Sequence, residues 1–260
     1  MRLNPQDLEP VTPNPRKLWL TAGILVVVMI LGGAVVLKAY ERYTRKQSVN
    51  ERAAMNTNRL TPEKDLPLIR QDGTRGALLD LSGKVIVIQV VSAGDLSASA
   101  RTNAAMKRVA EQYASQGDCA LVSLVIDPGP AENARAVLEA AATELGAKFP
   151  QWWVATNQPE LLHKYLKKEF KASIFPHKKD GKWIFDTSVV VVDRNGVIRQ
   201  PVVPQKQGGP PYVGPFDFDQ AASWDERGVK TGTDRNNVEE LQHLLLKTID
   251  ELLAESVKKS

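Results

Sequence analysis

The stretch that decides the fold is Lys84–Arg101, KVIVIQVVSAGDLSASAR. Val85–Val91 is a short apolar run rich in Val and Ile, bounded by Gly83 and Gly94. Its length and composition read as a strand buried on both faces. Ser92–Ser99 then turns through small polar residues toward a helix starting near Ser97 or Ser99. A buried strand that feeds a loop and a helix N-terminus is where α/β proteins place their chemistry.

Downstream, strands and helices alternate. Thr102–Gln116 has apolar residues at Ala105, Met106, Val109, Ala110 and Tyr113, which is helical spacing. Cys119–Ile126 reads as a second buried strand, closed by Asp127-Pro128-Gly129-Pro130. Glu132–Leu145 is a helix with Gly146 as its C-cap. Trp152–Thr156 is a third strand, and Pro159–Phe170 a helix with proline in its first turn. Trp183–Phe185 and Val189–Asp193 read as strands, with Asn195-Gly196 as a two-residue hairpin turn into Val197–Arg199. Val238–Ala254 is the last helix, capped by Asn237 with Glu240 at its third position. This order predicts an α/β, three-layer domain, and the thioredoxin architecture matches it best.

Upstream, Leu18–Leu37 holds no charged residue and is long enough to cross a bilayer as a helix. Trp19 and Tyr40 stand near its ends, where amphipathic rings prefer the interface. A cleaved signal peptide would have a shorter apolar region and a small-residue cleavage site. The segment 18–40 is therefore read as a retained transmembrane anchor in contact with the membrane bilayer. It is preceded by a polar, proline-containing tail (1–17). A linker over 41–64 follows, and the folded domain is expected over 65–257. Lysine and arginine flank both ends of the anchor, so charge alone does not orient it.

The apolar fraction of 43% and charged fraction of 25% are those of a folded chain. The net charge of +4 is not gathered into a stripe, so no nucleic-acid partner is expected. A single cysteine, Cys119, excludes an intrachain disulfide, a CxxC pair and a multi-cysteine zinc site; it reads as a core residue. His163, His177 and His243 share no ligand spacing with one another or with carboxylates. Ser97 and Ser99 have no histidine placed to activate them, so a hydrolase is not expected. Residues 200–232 fit no regular element. Their Gly and Pro content marks a long insertion, and Tyr212, Phe216, Phe218 and Trp224 within it argue against disorder. These aromatics pack either on the domain itself or on a partner.

The wording of several segments resembles the SCO/SenC family, membrane-anchored thioredoxin-fold proteins that help install copper in cytochrome c oxidase. The matching stretches are Gln71-Asp72-Gly73, Leu81–Val85, Asp127-Pro128, Trp153, Glu160–Phe170 and Val192–Arg199 (VDRNGVIR). The resemblance implies a domain outside the cytoplasmic membrane, in the periplasm, with a single-pass anchor. It also implies copper, held in that family by a CxxxC pair after the first core strand and a histidine before the VD strand. At the matching positions this chain has Asp95, Ser99 and Phe185, or Asp186 if the register slips by one. A carboxylate and a hydroxyl are hard donors and suit copper poorly. Without paired thiols there is no dithiol exchange. Asp95 and Asp186, if brought together, would instead suit a hard cation such as calcium.

Two function classes follow. One is a non-catalytic SCO-like assembly factor or accessory subunit of a respiratory, cytochrome oxidase-type complex, not an enzyme and without a cofactor. Its contacts would run through the aromatic insertion. The other is a surviving copper or thiol-redox protein that borrows ligands from a partner.

Overall fold

The computed structural model describes residues 14–50, 54–203 and 212–255. The chain divides into two compact units, residues 1–50 and 51–260.

The first unit is one helix, α1 (Pro15–Asn50). Its segment Pro15–Ala39 is long and apolar enough to cross a membrane. Among the described side chains, apolar residues of this segment such as Leu25 and Val36 are exposed. The polar tail expected over 1–17 gives way to helix at Pro15; residues 1–13 lie outside the described residues.

The second unit is built on a nine-stranded sheet in the order β1-β10-β9-β4-β5-β6-β2-β3, with β11 paired to β10. In chain order the strands are β1 (Ala54–Arg59), β2 (Pro67–Arg70), β3 (Arg75–Ala77), β4 (Val85–Val91), β5 (Cys119–Val125) and β6 (Trp152–Thr156). A separate two-stranded hairpin, β7 (His177–Lys179) and β8 (Lys182–Ile184), follows. The sheet resumes with β9 (Val190–Val192), β10 (Val197–Val203) and β11 (Tyr212–Val213). The helices of this unit are α2 (Ala100–Gln112), α3 (Ala134–Leu145), α4 (Pro159–Lys168), α5 (Phe218–Glu226) and α6 (Asn237–Ala254).

The two-residue period of β4 splits its side chains between two cores. Val85, Val87 and Val91 join the residues under α2, α3, α5 and α6. Ile86, Ile88 and Val90 join those under α4, with Leu78, Leu81 and Phe185. β5 divides in the same way, with Leu121 and Val125 on one face and Val122 and Leu124 on the other. β4 and β5 are parallel in full register from Val85↔Cys119 to Val91↔Val125. β9 lies antiparallel to β4, and β10 antiparallel to β9. A βαβ unit, an adjacent antiparallel pair and a closing helix make the domain a thioredoxin-like α/β fold.

Three expectations change. The sheet begins inside the segment read as a linker: β1 pairs with β10 from Ala54↔Pro201 to Arg59↔Val197. The sequence AMNTNR carries no apolar alternation, so its pairing is supplied by its neighbour. The turn between β9 and β10 spans Arg194–Gly196, not two residues. The Gly196 amide donates to Asp193 O at 2.9 Å, and the Asp193 amide donates to Val197 O at 2.9 Å. Gly196 is left-handed (φ +76), and a Cβ there would lie 3.1 Å from Leu60 O. Finally, α6 is capped one residue earlier than its sequence implies. Asn236 accepts the Glu239 amide at 2.8 Å while Glu239 reaches back to the Asn236 amide. Asn237 is instead buried, donating to Asp225 and Val229 O.

Candidate functional site

Because β4, β5 and β6 run parallel, the loops after their C-terminal ends share one edge of the sheet. Asp127 organises that edge. Its carboxylate accepts the Ser92 hydroxyl at 2.7 Å and the Ala93 amide at 2.7 Å, with the Gly94 amide at 3.3 Å. Two successive amides aimed at one carboxylate form an anion nest, and the chain's own aspartate fills it.

Beyond the nest, Asp95 begins a 3-10 turn, Leu96–Ser99, that leads into α2. The Ser97 hydroxyl donates to Asp95 and, as the largest influence, holds its carboxyl below the usual range; this group is solvated. Ser99 is fully buried, and its hydroxyl donates to Val90 O at 3.4 Å. Asn103 Nδ2 donates to Leu96 O at 2.8 Å and pins the turn to the helix.

The facing segment is 185–188. Phe185 is buried in the core under α4 and offers no donor. Asp186 is buried too, but both its oxygens are engaged: Oδ2 accepts the Ser173 amide, and Oδ1 accepts the Ser188 amide at 2.9 Å and the Ser188 hydroxyl. Burial pushes this carboxyl up, and the hydrogen bonds from Ser188 and Ser173 outweigh it, so the net direction is down. Thr187 is the residue that meets α2: the Thr102 hydroxyl donates to its carbonyl at 2.8 Å. The donor set at this edge therefore does not fit copper. Its members are a solvated carboxylate turned to Ser97, a buried hydroxyl turned to its own strand, a phenyl ring and a saturated carboxylate. Asp95 and Asp186 each turn to their own local serines rather than to a shared cation. Among the described residues, no three His, Cys, Asp or Glu side chains gather as metal ligands would.

Cys119 is buried, and desolvation pushes its thiol up to about 12, far from thiolate reactivity. His163 is buried with Nε2 3.1 Å from Ile126 O, while His177 and His243 are exposed.

The aromatic insertion divides. Residues 204–211 and the Tyr212 side chain lie outside the described residues. The Tyr212 backbone pairs with Val203 in the β10–β11 ladder. Phe216 and Phe218 are buried in the domain's own core, at 0% and 1% exposure, so of the two readings of these aromatics they take packing on the domain itself and not the partner-binding one. The Val189 amide donates to Phe216 O at 3.0 Å, which draws the segment onto the sheet. Trp224 is half-buried on α5.

Two features of this edge are absent from the sequence reading. One is the Asp127 clamp, signalled only by an aspartate that follows a buried strand. The other is the β7–β8 hairpin, whose signal is Asp180-Gly181: both residues have positive φ (51° and 79°), as a two-residue primed turn requires.

No family model matches the sequence, and no curated protein matches it. Among solved structures, the chain is similar to a SCO1/SenC family lipoprotein from Bacillus anthracis (19% identity, TM-score 0.49, covering 78% of this chain and 98% of that one). It is similar to the soluble domain of Sco1 from Bacillus subtilis (17%, TM-score 0.45, 69% and 97%). It is also similar to copper-bound ScoI from Arabidopsis thaliana (16%, TM-score 0.44, 72% and 97%). At such identities and scores the likeness says nothing about chemistry. By its own strand order, the domain has a thioredoxin-like fold of the kind that SCO/SenC proteins share.

Proposed function

We propose that this chain is a membrane-anchored, SCO-like protein that works by binding rather than by metal or thiol chemistry. It would serve as an assembly factor or accessory subunit of a respiratory membrane complex. The observation that carries this reading is the state of the loop after β4. Ser99 is buried against Val90 O, and the nest at Ala93 and Gly94 is filled by Asp127. A loop whose leading amides and buried hydroxyl are taken up by its own fold is a scaffold. The partner class comes from the sequence resemblance, chiefly the VDRNGVIR words at Val192–Arg199. The same resemblance assigns the domain to the periplasm and the anchor to the inner membrane.

Three measurements test this. Cu(I) and Cu(II) titration of the purified full chain should show no stoichiometric binding. Binding tighter than about micromolar would favour the copper-chaperone reading. A detergent pull-down of the tagged chain from membranes should recover oxidase or other respiratory subunits, and a chain recovered alone would overturn the accessory role. A C-terminal reporter active only in the cytoplasm would overturn the topology.

A further inference from the structure

The β7–β8 hairpin is not part of the main sheet. Within it or directly before it stand three large apolar side chains exposed to solvent: Ile174 (38%), Phe175 (46%) and Ile184 (37%). The buried His163 ring stands edge-on to Phe175 at 6.0 Å and to Trp183 at 5.5 Å. The patch is rimmed by cations. Residues 171–184 hold four lysines, Lys171, Lys178, Lys179 and Lys182, against one aspartate, Asp180. All four are exposed, and Lys178 Nζ lies 5.3 Å from the Trp183 ring centroid.

The hairpin belongs to the same sheet edge as the site loops. The His163 ring bonds to Ile126 O, directly after β5, and Lys182 exerts its charge on Asp95. The chain also enters the domain at this edge. β10 runs parallel to β4, because each is antiparallel to β9. Ala54 lies opposite Pro201, near the end of β10 that points the same way as Val91. Only residues 51–53 separate Ala54 from the end of α1. A chain anchored by α1 would keep this domain at a membrane, and the domain carries an apolar, lysine-rimmed hairpin. Apolar side chains flanked by lysine are what a headgroup surface of negative charge accepts.

We propose that the β7–β8 hairpin docks on the surface of an anionic lipid bilayer, inserting Phe175 and Ile184 while Lys178, Lys179 and Lys182 meet the headgroups. Docking holds the loops after β4 and β5 close to the membrane plane. The proposal rests on α1 being a membrane anchor and is independent of the identity of any protein partner.

The test is hydrogen exchange of the full chain reconstituted in nanodiscs, comparing phosphatidylcholine alone with roughly a third phosphatidylglycerol. Amides of 174–185 should exchange about tenfold more slowly in the anionic discs. High salt should reduce the difference. The K178E/K179E/K182E chain should lose the protection, and so should F175S/I184S, while exchange in β4 and β5 stays slow and reports an intact fold. Equal exchange of 174–185 in both lipids, in a chain that remains with the discs, overturns the docking and leaves the anchor standing. A chain that does not stay with the discs overturns both. Protection that arises only when solubilised membrane proteins are added makes the hairpin a protein-binding surface and overturns the lipid assignment.

Discussion

Asp127 reaches from the end of β5 to Ser92 at the end of β4, and its carboxylate accepts the serine hydroxyl at 2.7 Å. With the amides of Ala93 and Gly94 on the same carboxylate, this contact sets the conformation of the loop on which the functional reading turns.

Replacing Asp127 with alanine strands two amides and a hydroxyl. The expected cost is about 2–3 kcal/mol, since hydrogen bonds to a charged group exceed the ordinary net value. Urea denaturation should show a lower midpoint with an unchanged slope. A loss below about 0.5 kcal/mol would mean that the loop holds its shape without the clamp.

A second polar lock lies at the other end of the sheet. Arg199 and Asp193 are 5% and 3% exposed, with a 2.6 Å ion pair, and Asp193 also accepts the amides of Asn195 and Val197. Glu255 adds a third charge at 3.2 Å from Arg199. Arg199→Met leaves a buried carboxylate without its cation and should cost about 3–5 kcal/mol. A double-mutant cycle with Asp193→Asn should show strong coupling, and additive losses would sever the pair.

His163 makes stability pH-dependent. Burial lowers its pKa below the ordinary 6.5, opposed by its bond to Ile126 O and by the charge of Asp127. The unfolded chain takes up a proton near pH 6.5 that the folded chain resists. Stability is thus complete above that pH and declines as pH falls through the interval down to the folded pKa. The His163→Gln chain, which keeps a donor and does not titrate, should show a flatter midpoint-against-pH curve as pH falls below about 6.5.

Phe216 is fully buried against the sheet. Phe216→Ala should lower stability by about 3–5 kcal/mol. A variant that keeps its thermal midpoint but loses a bound partner would return the residue to the interface reading.

Much of the fold is legible in local pattern. The run at Val85–Val91, its partner at Cys119–Val125 and the Ala-rich periodicity of α3 declare themselves because burial on both faces of a strand, or one face of a helix, demands apolar residues at fixed spacing. The resemblance to the SCO/SenC family, not this pattern, singled out Asp95, Ser99 and Phe185, as the positions that match its copper ligands. β1 escapes it, because a polar edge strand is stabilised by its neighbour's hydrogen bonds and not by its own side chains. The turn at Asp180-Gly181 is legible, but the exposure of Phe175 and Ile184 beside it is not.

By itself, the sequence determined the strand–helix order, the apolar segment before it and the lack of a thiol pair, since each depends on residue types and short spacing. Only the tertiary structure decided that Ser99 turns inward to Val90, that Asp127 fills the nest at Ala93 and Gly94, and that Phe216 and Phe218 belong to the core. Those outcomes depend on contacts between residues from nine positions apart, as for Ser99 and Val90, to dozens apart, as for Asp127 and Ala93, beyond the reach of short spacing rules. A side chain's type limits what it can bond, but the geometry of its neighbours selects which bond it makes.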